Sequence, residues 1–445
     1  MNIEAAVPAA VAEANAGDIP ETLGELVRQC AERFGDRKLG YWFEDDASLS
    51  YRELDEMANR LAGSLLTIGI RKGTHVSVML PNTWAFPITW VALARIGAVM
   101  IPVNTSYTSE ELNFVLTDSD SQFFVVDETL LPAYSGIQTT PPLLSDERII
   151  VHGGKMEQHR HWQTLVDEGS PSFVAPSAVC RNDLLNIQYT SGTTGFPKGC
   201  MLTHDWWMLM AYWAVNFRSD QSDIKNTLIW APFYYMDPLW QFLMTMRLGA
   251  TANVARRFSL SRFYDWLTEF RINYCIFPEP ALKARPPSPA DRELDLKYIS
   301  IYGWREESRR EVQERFGVVA REGYGMTEIG GATVVPEAAD EMALKRTCGL
   351  PAPFRELKIV DENGNEVPDG ERGELWVAGR SILWGYYKRP EANADNFRGK
   401  WFRTGDIFYR DEGGYYYIVG RIKDMIKRAG ENISAHEVEK ALCAL

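Results

Sequence analysis

The chain of 445 residues is acidic, with a formal net charge of −13, and 45% of its residues are hydrophobic. The charge argues against nucleic acid or an anionic membrane as the main partner. The length is too great for one core, so several subdomains are expected. The six cysteines are scattered without a C-x-x-C pair, which favours a reducing cytoplasmic location over a disulfide frame or a zinc site.

The first 180 residues predict alternating helices and strands. Capping boxes of the type S/T-x-x-E begin at Ser50 and Thr108 and mark the starts of two helices. The most apolar stretch, 84–103, contains two prolines and an arginine, so it predicts a buried helix and strand rather than a membrane span. The alternation predicts a mostly parallel sheet with helices on both faces. Residues 131–180 are polar and irregular, which is typical of a variable connector.

A loop rich in glycine and hydroxyl residues comes after a short strand predicted at Leu184–Gln188. Between a strand and a helix, here predicted over Thr203–Phe217, such a loop is typical of phosphate binding. Glycines let backbone N–H groups approach the ligand, and a lysine adds a mobile positive charge. The loop lacks the G-K-[ST] ending of a Walker A motif, and a flexible linker is the plain alternative. The loop residues are Thr190, Ser191, Gly192, Thr193, Thr194, Gly195, Phe196, Pro197 and Lys198.

Helices and strands alternate again after this loop, and the pattern changes from Leu357 onward. Short strands separated by Asn-Gly and Gly-Gly turns then predict a small antiparallel β subdomain. We expect five segments: a first α/β subdomain with its connector, a second α/β subdomain carrying the loop and an acyl pocket, the β subdomain, a hinge, and the start of a further domain. These segments are 1–180, 181–350, 351–420, 421–424 and 425–445.

Three further motifs come after the loop in a fixed order. Tyr324 to Glu328 reads Y-G-M-T-E, Thr404 to Asp406 reads T-G-D, and Gly420 to Asp424 reads G-R-I-K-D. With the loop, they resemble the motifs of the AMP-forming acyl-CoA synthetases, whose superfamily includes peptide-synthetase adenylation domains and luciferases. The resemblance covers nearly the whole chain. It implies an α/β fold of two doubly wound sheets with a small antiparallel β subdomain, and then a mobile C-terminal α/β domain.

The same resemblance implies ATP, Mg²⁺ and coenzyme A as cofactors and assigns a role to each motif. The loop would hold the β- and γ-phosphates through its hydroxyls and Lys198. Taken singly, each assigned residue has a plain structural reading, such as a solvated acid, a core aromatic or a turn residue. The remaining roles are the α-phosphate for Thr327, the magnesium ion for Glu328, the adenine for Tyr324, the ribose hydroxyls for Asp406 with Arg421, and the hinge for Lys423.

The resemblance implies an acyl pocket lined by two segments, 232–237 and 301–305. Tyr235 stands where many relatives carry histidine, and bulky Tyr302-Gly303-Trp304 stands where many carry small residues. This bulk predicts a short or compact acid. Aromatic rings beside Asp237 suit a cation, and the Tyr-Met-Asp stretch is similar to that of carnitine/crotonobetaine–CoA ligases. In the alternative reading, Tyr234, Tyr235 and Trp240 are core residues and Asp237 caps a helix.

The leading hypothesis is an ATP-dependent acid–CoA ligase that forms an acyl-adenylate and then an acyl-CoA. Two alternatives stay open: a stand-alone adenylation domain that loads an amino or aryl acid onto a carrier protein, and a non-catalytic acyl-AMP-binding remnant. Residues 425–445, with a helix predicted from Ser434, supply only the start of the family's C-terminal domain. The chain is therefore expected to be truncated and to transfer poorly to CoA. The sequence specifies neither the acid nor the oligomeric state.

Overall fold

A computed structural model describes residues 19–154, 158–190, 197–216, 223–428 and 431–434. Within these ranges the strands form two large mixed sheets, a small antiparallel sheet and a two-stranded ribbon. This arrangement confirms the α/β fold class with a separate β subdomain. The helix predicted after Ser434 lies outside the described residues. In the described part, no helix has both the length and the apolar character needed to cross a bilayer.

The first sheet has seven described strands and is parallel except at one edge. Its central strands are buried on both faces, as expected for a parallel sheet covered by helices. The capping boxes at Ser50 and Thr108 are both confirmed. The helices of this half are Leu23–Phe34, Tyr51–Thr67, Ala85–Ile96, Ser109–Asp118, Leu131–Ser135 and Trp162–Glu168. In spatial order the strands are Arg160–His161, Ile149–His152, Phe123–Asp127, His75–Met79, Val99–Pro102, Leu184–Thr190 and Lys198–Thr203.

The prediction of an irregular connector over 131–180 was wrong, because this segment contributes to the first sheet. Ile149–His152 pairs in parallel with Phe123–Asp127, and its first three residues are fully buried. Trp162 is also buried, and its Nε1 donates a hydrogen bond to Thr89 Oγ1 at 2.9 Å. A run of four residues carries too little periodicity to separate a buried strand from a loop.

The helix predicted over Thr203–Phe217 is confirmed at His204–Asn216, but an unpredicted strand, Lys198–Thr203, lies between the loop and this helix. Lys198–Thr203 pairs antiparallel with Leu184–Thr190, and the helix begins only at His204. The loop therefore joins two strands of a hairpin rather than a strand and a helix. Because a strand directly follows the loop, a helix N-terminus is not available at this point to assist phosphate binding.

The second sheet has nine described strands, parallel in the centre and antiparallel at both ends. Lys38–Trp42 and Ala47–Ser50 join it through Thr251–Val254, although they lie early in the chain. The helices of this half are His204–Asn216, Met236–Leu248, Phe263–Glu269, Glu279–Lys283, Glu306–Phe316 and Asp340–Ala343. In spatial order the strands are Leu350–Pro351, Gly330–Val334, Val319–Met326, Tyr298–Ile301, Tyr274–Ile276, Asn226–Ile229, Thr251–Val254, Lys38–Trp42 and Ala47–Ser50.

The β subdomain confirms the antiparallel pattern predicted after Leu357. All its described strand pairs are antiparallel, and one short helix, Pro390–Asn396, lies between them. A ribbon of Met425–Arg428 with Glu431–Ser434 comes next in the chain. The strands of the subdomain are Arg355–Val360, Gly373–Gly379, Phe397–Arg398, Trp401–Arg410 and Tyr416–Arg421.

His204 connects the helix Leu23–Phe34 to the helix His204–Asn216, of which it is the first residue. Its side chain is fully buried, and its Nδ1 accepts a hydrogen bond from the Leu23 N–H at 3.2 Å. Burial lowers the pKa of His204 from 6.5 to about 4; nearby Asp183 opposes this and Lys72 adds to it. The imidazole is therefore neutral in the folded protein at neutral pH.

We expect this histidine to make the fold acid-sensitive. A histidine whose pKa is lowered on folding stabilises the fold fully above pH 6.5, and this contribution is lost as the pH falls towards 4. Between pH 7 and pH 5 the loss amounts to roughly 2 kcal/mol of unfolding free energy. His204→Asn keeps a hydrogen-bond acceptor without a titrating group. Denaturant unfolding at both pH values checks the prediction, and an equal pH dependence in the variant would contradict it.

Candidate active site

A cleft of about 1130 Å³ opens where the loop hairpin, the second sheet and the β subdomain meet. All four sequence motifs contribute to its wall, and the T-G-D motif does so through Thr404 and Gly405. The fold thus brings together residues more than two hundred positions apart in the chain. The predicted site residues that line the cleft are Thr190, Lys198, Tyr235, Thr327, Glu328, Arg421 and Lys423.

The hairpin places Thr190 and Lys198 opposite each other at the base of the loop. The next pair is Tyr189 with Gly199, and a Cβ at Gly199 would lie 2.5 Å from Ile187 Cγ2 and 3.2 Å from the tyrosine ring. A side chain at that position would therefore displace these two neighbouring side chains. The other predicted loop residues, Ser191, Gly192, Thr193, Thr194 and Gly195, lie outside the described residues, so their phosphate contacts stay predictions.

Thr327 and Glu328 occupy the tip of a tight turn. The strands on either side pair antiparallel, with Gly325 opposite Gly331, and a Cβ at Gly325 would meet a backbone oxygen at 2.5 Å. Glu328 is 7% exposed, and burial raises the pKa of its carboxyl group, opposed mainly by a hydrogen bond from Tyr386. The Tyr386 hydroxyl donates to Glu328 Oε1 at 2.8 Å. The turn thus presents one carboxylate at the cleft wall.

Asp406 is the centre of a buried polar cluster beside the cleft. The Tyr324 hydroxyl donates to its Oδ2 at 2.5 Å, and Arg421 Nε donates to its Oδ1 at 2.9 Å. Burial raises the pKa of this carboxyl group, and both donors oppose that shift. Asp406 is 2% exposed, so it reaches the cleft through its neighbour Gly405 and its partner Arg421. The ring of Tyr324 lies 4.9 Å from that of Phe408.

The acyl segments are only partly brought to the cleft. Tyr235 is 51% exposed and lines the wall, so the core reading is wrong for this residue, whereas Tyr234 and Trp240 are buried as it predicted. Asp237 does not cap its helix: the helix begins at Met236 with Tyr235 as the capping residue. Instead, Asp237 Oδ1 accepts a hydrogen bond from Trp240 Nε1 at 2.9 Å.

The segment Tyr302-Gly303-Trp304 does not line the cleft. Trp304 is 3% exposed and packs against Phe277 at 6.0 Å between ring centroids. The Gly303 N–H donates to Glu322 Oε1 at 3.1 Å, and Tyr302 is exposed. The bulk of Trp304 therefore belongs to the core of the second sheet.

Sequence reasoning missed Tyr386 and Gln188. Gln188 lines the cleft, and its Nε2 donates to the Tyr234 backbone oxygen at 2.6 Å. Gln188 is a polar residue on a largely apolar strand directly before the loop, and this position could have indicated that it lies at the site. Tyr386 comes after a glycine in an irregular stretch without periodicity. Nothing in the sequence shows that it meets Glu328, 58 residues earlier.

Comparison with known proteins gives a consistent result. The pattern of the AMP-binding enzyme family matches residues 27–387. A crotonobetaine/carnitine–CoA ligase of Citrobacter koseri is 32% identical, with 95% of this chain and 84% of that protein aligned. For the same ligase of Salmonella agona the identity is again 32%, over 89% of this chain and 78% of that protein.

Solved structures show the same fold. The inhibitor-bound N-terminal domain of FACL13 from Mycobacterium tuberculosis superposes with a TM-score of 0.80 at 25% identity, covering 90% of this chain and all of that chain. The anthranilate–CoA ligase AuaEII in complex with anthranoyl-AMP gives a TM-score of 0.85 at 21% identity, and the superposition covers 96% of this chain and 83% of that chain.

The chain therefore belongs to the AMP-binding enzyme family. Within that family it is an acyl-CoA synthetase, an AMP-forming ligase that joins a carboxylic acid to CoA at the expense of ATP. This result disfavours both a carrier-loading adenylation domain and a non-catalytic remnant.

Proposed function

We propose that this synthetase activates a compact carboxylic acid with a positive charge, of the betaine type, and uses Mg²⁺ held by Glu328. The observation that carries the proposal is the environment of Asp237. Two relatives named as crotonobetaine/carnitine–CoA ligases support the same substrate class. The compact size is inferred from the exposed ring of Tyr235 at the cleft wall.

Asp237 is a partly buried carboxylate with few protein partners. Its carboxylate accepts a hydrogen bond from Trp240, burial raises the pKa of the carboxyl group, and among the described residues it has no ion pair. A partly buried carboxylate is favoured by a compensating charge beside it. A quaternary ammonium ion donates no hydrogen bond, but it interacts favourably with a carboxylate and with aromatic faces. The rings of Tyr234 and Tyr235, 4.6 Å apart between centroids, supply such faces nearby.

The residues at the turn fit a magnesium ion. Mg²⁺ prefers oxygen ligands and binds nucleotides through one or two carboxylates together with the phosphates. Glu328 offers one carboxylate at the cleft wall, which matches this mode of binding. When bound, the ion neutralises charge on the phosphates.

The chain's own groups act mainly by positioning and charge. Lys198 offsets the negative charge of the departing pyrophosphate, and the Thr327 hydroxyl donates to an oxygen of the α-phosphate. Asp406 and Arg421 hold the ribose. The acid's carboxylate oxygen attacks the α-phosphorus as the bond to pyrophosphate breaks. The CoA thiol then attacks the acyl carbon, and AMP leaves. No general base is needed in the first step, because the acid is already ionised.

Asp237→Asn is expected to lower kcat/KM selectively for charged acids. Loss of one partly desolvated ion pair corresponds to a decrease in kcat/KM of roughly tenfold to a hundredfold. The measurement compares pyrophosphate release with a trimethylammonium acid and with its isostere in which carbon replaces the charged nitrogen. Only the charged acid is expected to lose rate, whereas an equal loss for both acids would contradict the charge recognition.

A panel of acids, assayed by pyrophosphate release and by thioester formation, tests the proposal as a whole. Short, aromatic and betaine-type acids are expected to be turned over faster than palmitate. Faster turnover of palmitate than of every compact acid would overturn the size assignment. We also propose a cytoplasmic location, which is supported by free thiols at all five described cysteines.

A further inference from the structure

Tyr386 contacts both charged groups on the phosphate side of the cleft. Its hydroxyl donates to Glu328 Oε1 at 2.8 Å, and Lys198 Nζ lies 5.0 Å from the centroid of its ring. Its side chain is buried, and its ring and hydroxyl belong to one rigid unit. The position of Tyr386 therefore fixes both a cation and a carboxylate relative to each other.

The backbone of Tyr386 is held from two sides. Asn393 Oδ1 accepts from the Tyr386 N–H at 2.7 Å, and Asn393 Nδ2 donates to the Tyr386 oxygen at 3.0 Å. Tyr386 also forms a β-bridge with Cys200, two residues beyond Lys198. On the other side, the Leu383 N–H donates to the Glu328 backbone oxygen at 2.7 Å. One short segment thus connects the strand of Lys198 to the turn of Glu328.

Lys198 and Glu328 would weaken the site if they paired directly. Opposite charges in a partly buried site attract strongly, and a direct ion pair would withdraw the lysine from the phosphates and the carboxylate from the metal. The two residues form no ion pair here, although the charge of Lys198 acts on the carboxyl group of Glu328. The lysine lies over the tyrosine ring, where cation–π attraction holds it.

We infer that Tyr386 is a positioning residue that keeps Glu328 and Lys198 apart and orients the Glu328 carboxylate towards the metal–triphosphate. This inference rests on the proposed role of Glu328 as the magnesium ligand. Hydrogen-bond partners of metal ligands typically change metal affinity by about 10- to 100-fold when they are removed. Tyr386 is therefore required for the metal-dependent part of ATP binding and not for binding of the nucleoside.

Tyr386→Phe tests this inference, because it removes only the hydroxyl and keeps the ring under Lys198. Binding of Mn²⁺ in the presence of ATP is measured by electron paramagnetic resonance, and AMP affinity without metal is measured by calorimetry. We expect Mn²⁺ affinity to fall roughly 10- to 100-fold with AMP affinity unchanged. Tyr387→Phe is the matched control, since the Tyr387 hydroxyl donates to Asp120 instead. It is expected to match the wild type in both measurements.

A double-mutant cycle with Glu328→Gln separates the inference from the metal assignment. In the Glu328→Gln background, Tyr386→Phe is expected to have no further effect on Mn²⁺ affinity. If Glu328→Gln lowers Mn²⁺ affinity but Tyr386→Phe does not, the inference is overturned and the metal site stands. If Glu328→Gln leaves Mn²⁺ affinity unchanged, both the inference about Tyr386 and the assignment of Glu328 as metal ligand are overturned. Asn393→Ala removes the two hydrogen bonds that hold the Tyr386 backbone and provides a second test. It should also lower Mn²⁺ affinity while AMP affinity stays unchanged.

Discussion

Glu328→Ala is expected to lower acyl-AMP formation by roughly a hundredfold to ten-thousandfold. A catalytic metal stabilises a phosphoryl transition state by several kcal/mol, and each 1.4 kcal/mol is about tenfold in rate. Glu328 is the protein carboxylate at the turn facing the cleft, so its loss should remove most of that stabilisation. Exchange of pyrophosphate into ATP, measured with the preferred acid, reports this half-reaction.

Two further variants separate catalysis from folding. Glu328→Gln keeps the side-chain volume and an acceptor for the Tyr386 hydroxyl, so it should retain the fold while losing the charge. Glu391→Ala changes another glutamate of the same cleft, whose side chain is exposed, and should leave the rate largely unchanged. Normal exchange in a folded Glu328→Ala protein would contradict the assignment.

Asp406→Ala is expected to weaken ATP and AMP binding to the same degree, by roughly tenfold to a hundredfold. Hydrogen bonds to a charged group contribute about 1.5–3 kcal/mol, and the ribose is common to both nucleotides. The substitution also leaves the Tyr324 hydroxyl and Arg421 without their shared acceptor, so the melting temperature should fall. Calorimetric titration of AMP and ATP, with and without Mg²⁺, measures the change.

Asp411→Asn provides the control for this experiment within the same subdomain. Its carboxylate serves the local turn through the Tyr415 N–H and the Tyr417 hydroxyl, so it should affect stability without changing nucleotide affinity. A loss of ATP affinity in Asp406→Ala that leaves AMP affinity intact would place the role of Asp406 elsewhere than on the ribose.

The sequence predicted the fold and the site best where one short motif determines the local structure or the chemistry by itself. Helix starts at Ser50 and Thr108 and the carboxylate of Glu328 at the cleft wall belong to this group. The strand Lys198–Thr203 was missed, because its apolar residues run directly into a helix and local periodicity cannot place the boundary. Tyr386 was missed for a different reason: its contact with Glu328 exists only once two distant segments are packed together.

Similar limits apply to the acyl segments. The side-chain directions of Tyr235 and Trp304 depend on how helix and strand pack, which no local pattern encodes. The bulk expected from Tyr302 and Trp304 does not reach the cleft, so this prediction was wrong, whereas the charge recognition expected at Asp237 stays a prediction to be tested by the substrate comparison. In contrast, Gly405 of the T-G-D motif lies within the strand Trp401–Arg410 with a positive φ of 73°, and the glycine that this conformation favours is visible in the sequence.

The pairing of Lys38–Trp42 with Thr251–Val254 has a consequence for biosynthesis. Gly40 aligns with Ala252, so the earlier strand leaves the ribosome about two hundred residues before its neighbour. At roughly 5–20 residues per second, this wait lasts on the order of ten to forty seconds. During this time only its hairpin partner Ala47–Ser50 covers one edge of the strand, while the other edge stays open to other chains. We therefore expect the nascent chain to be prone to association at this edge until the middle of the chain is translated.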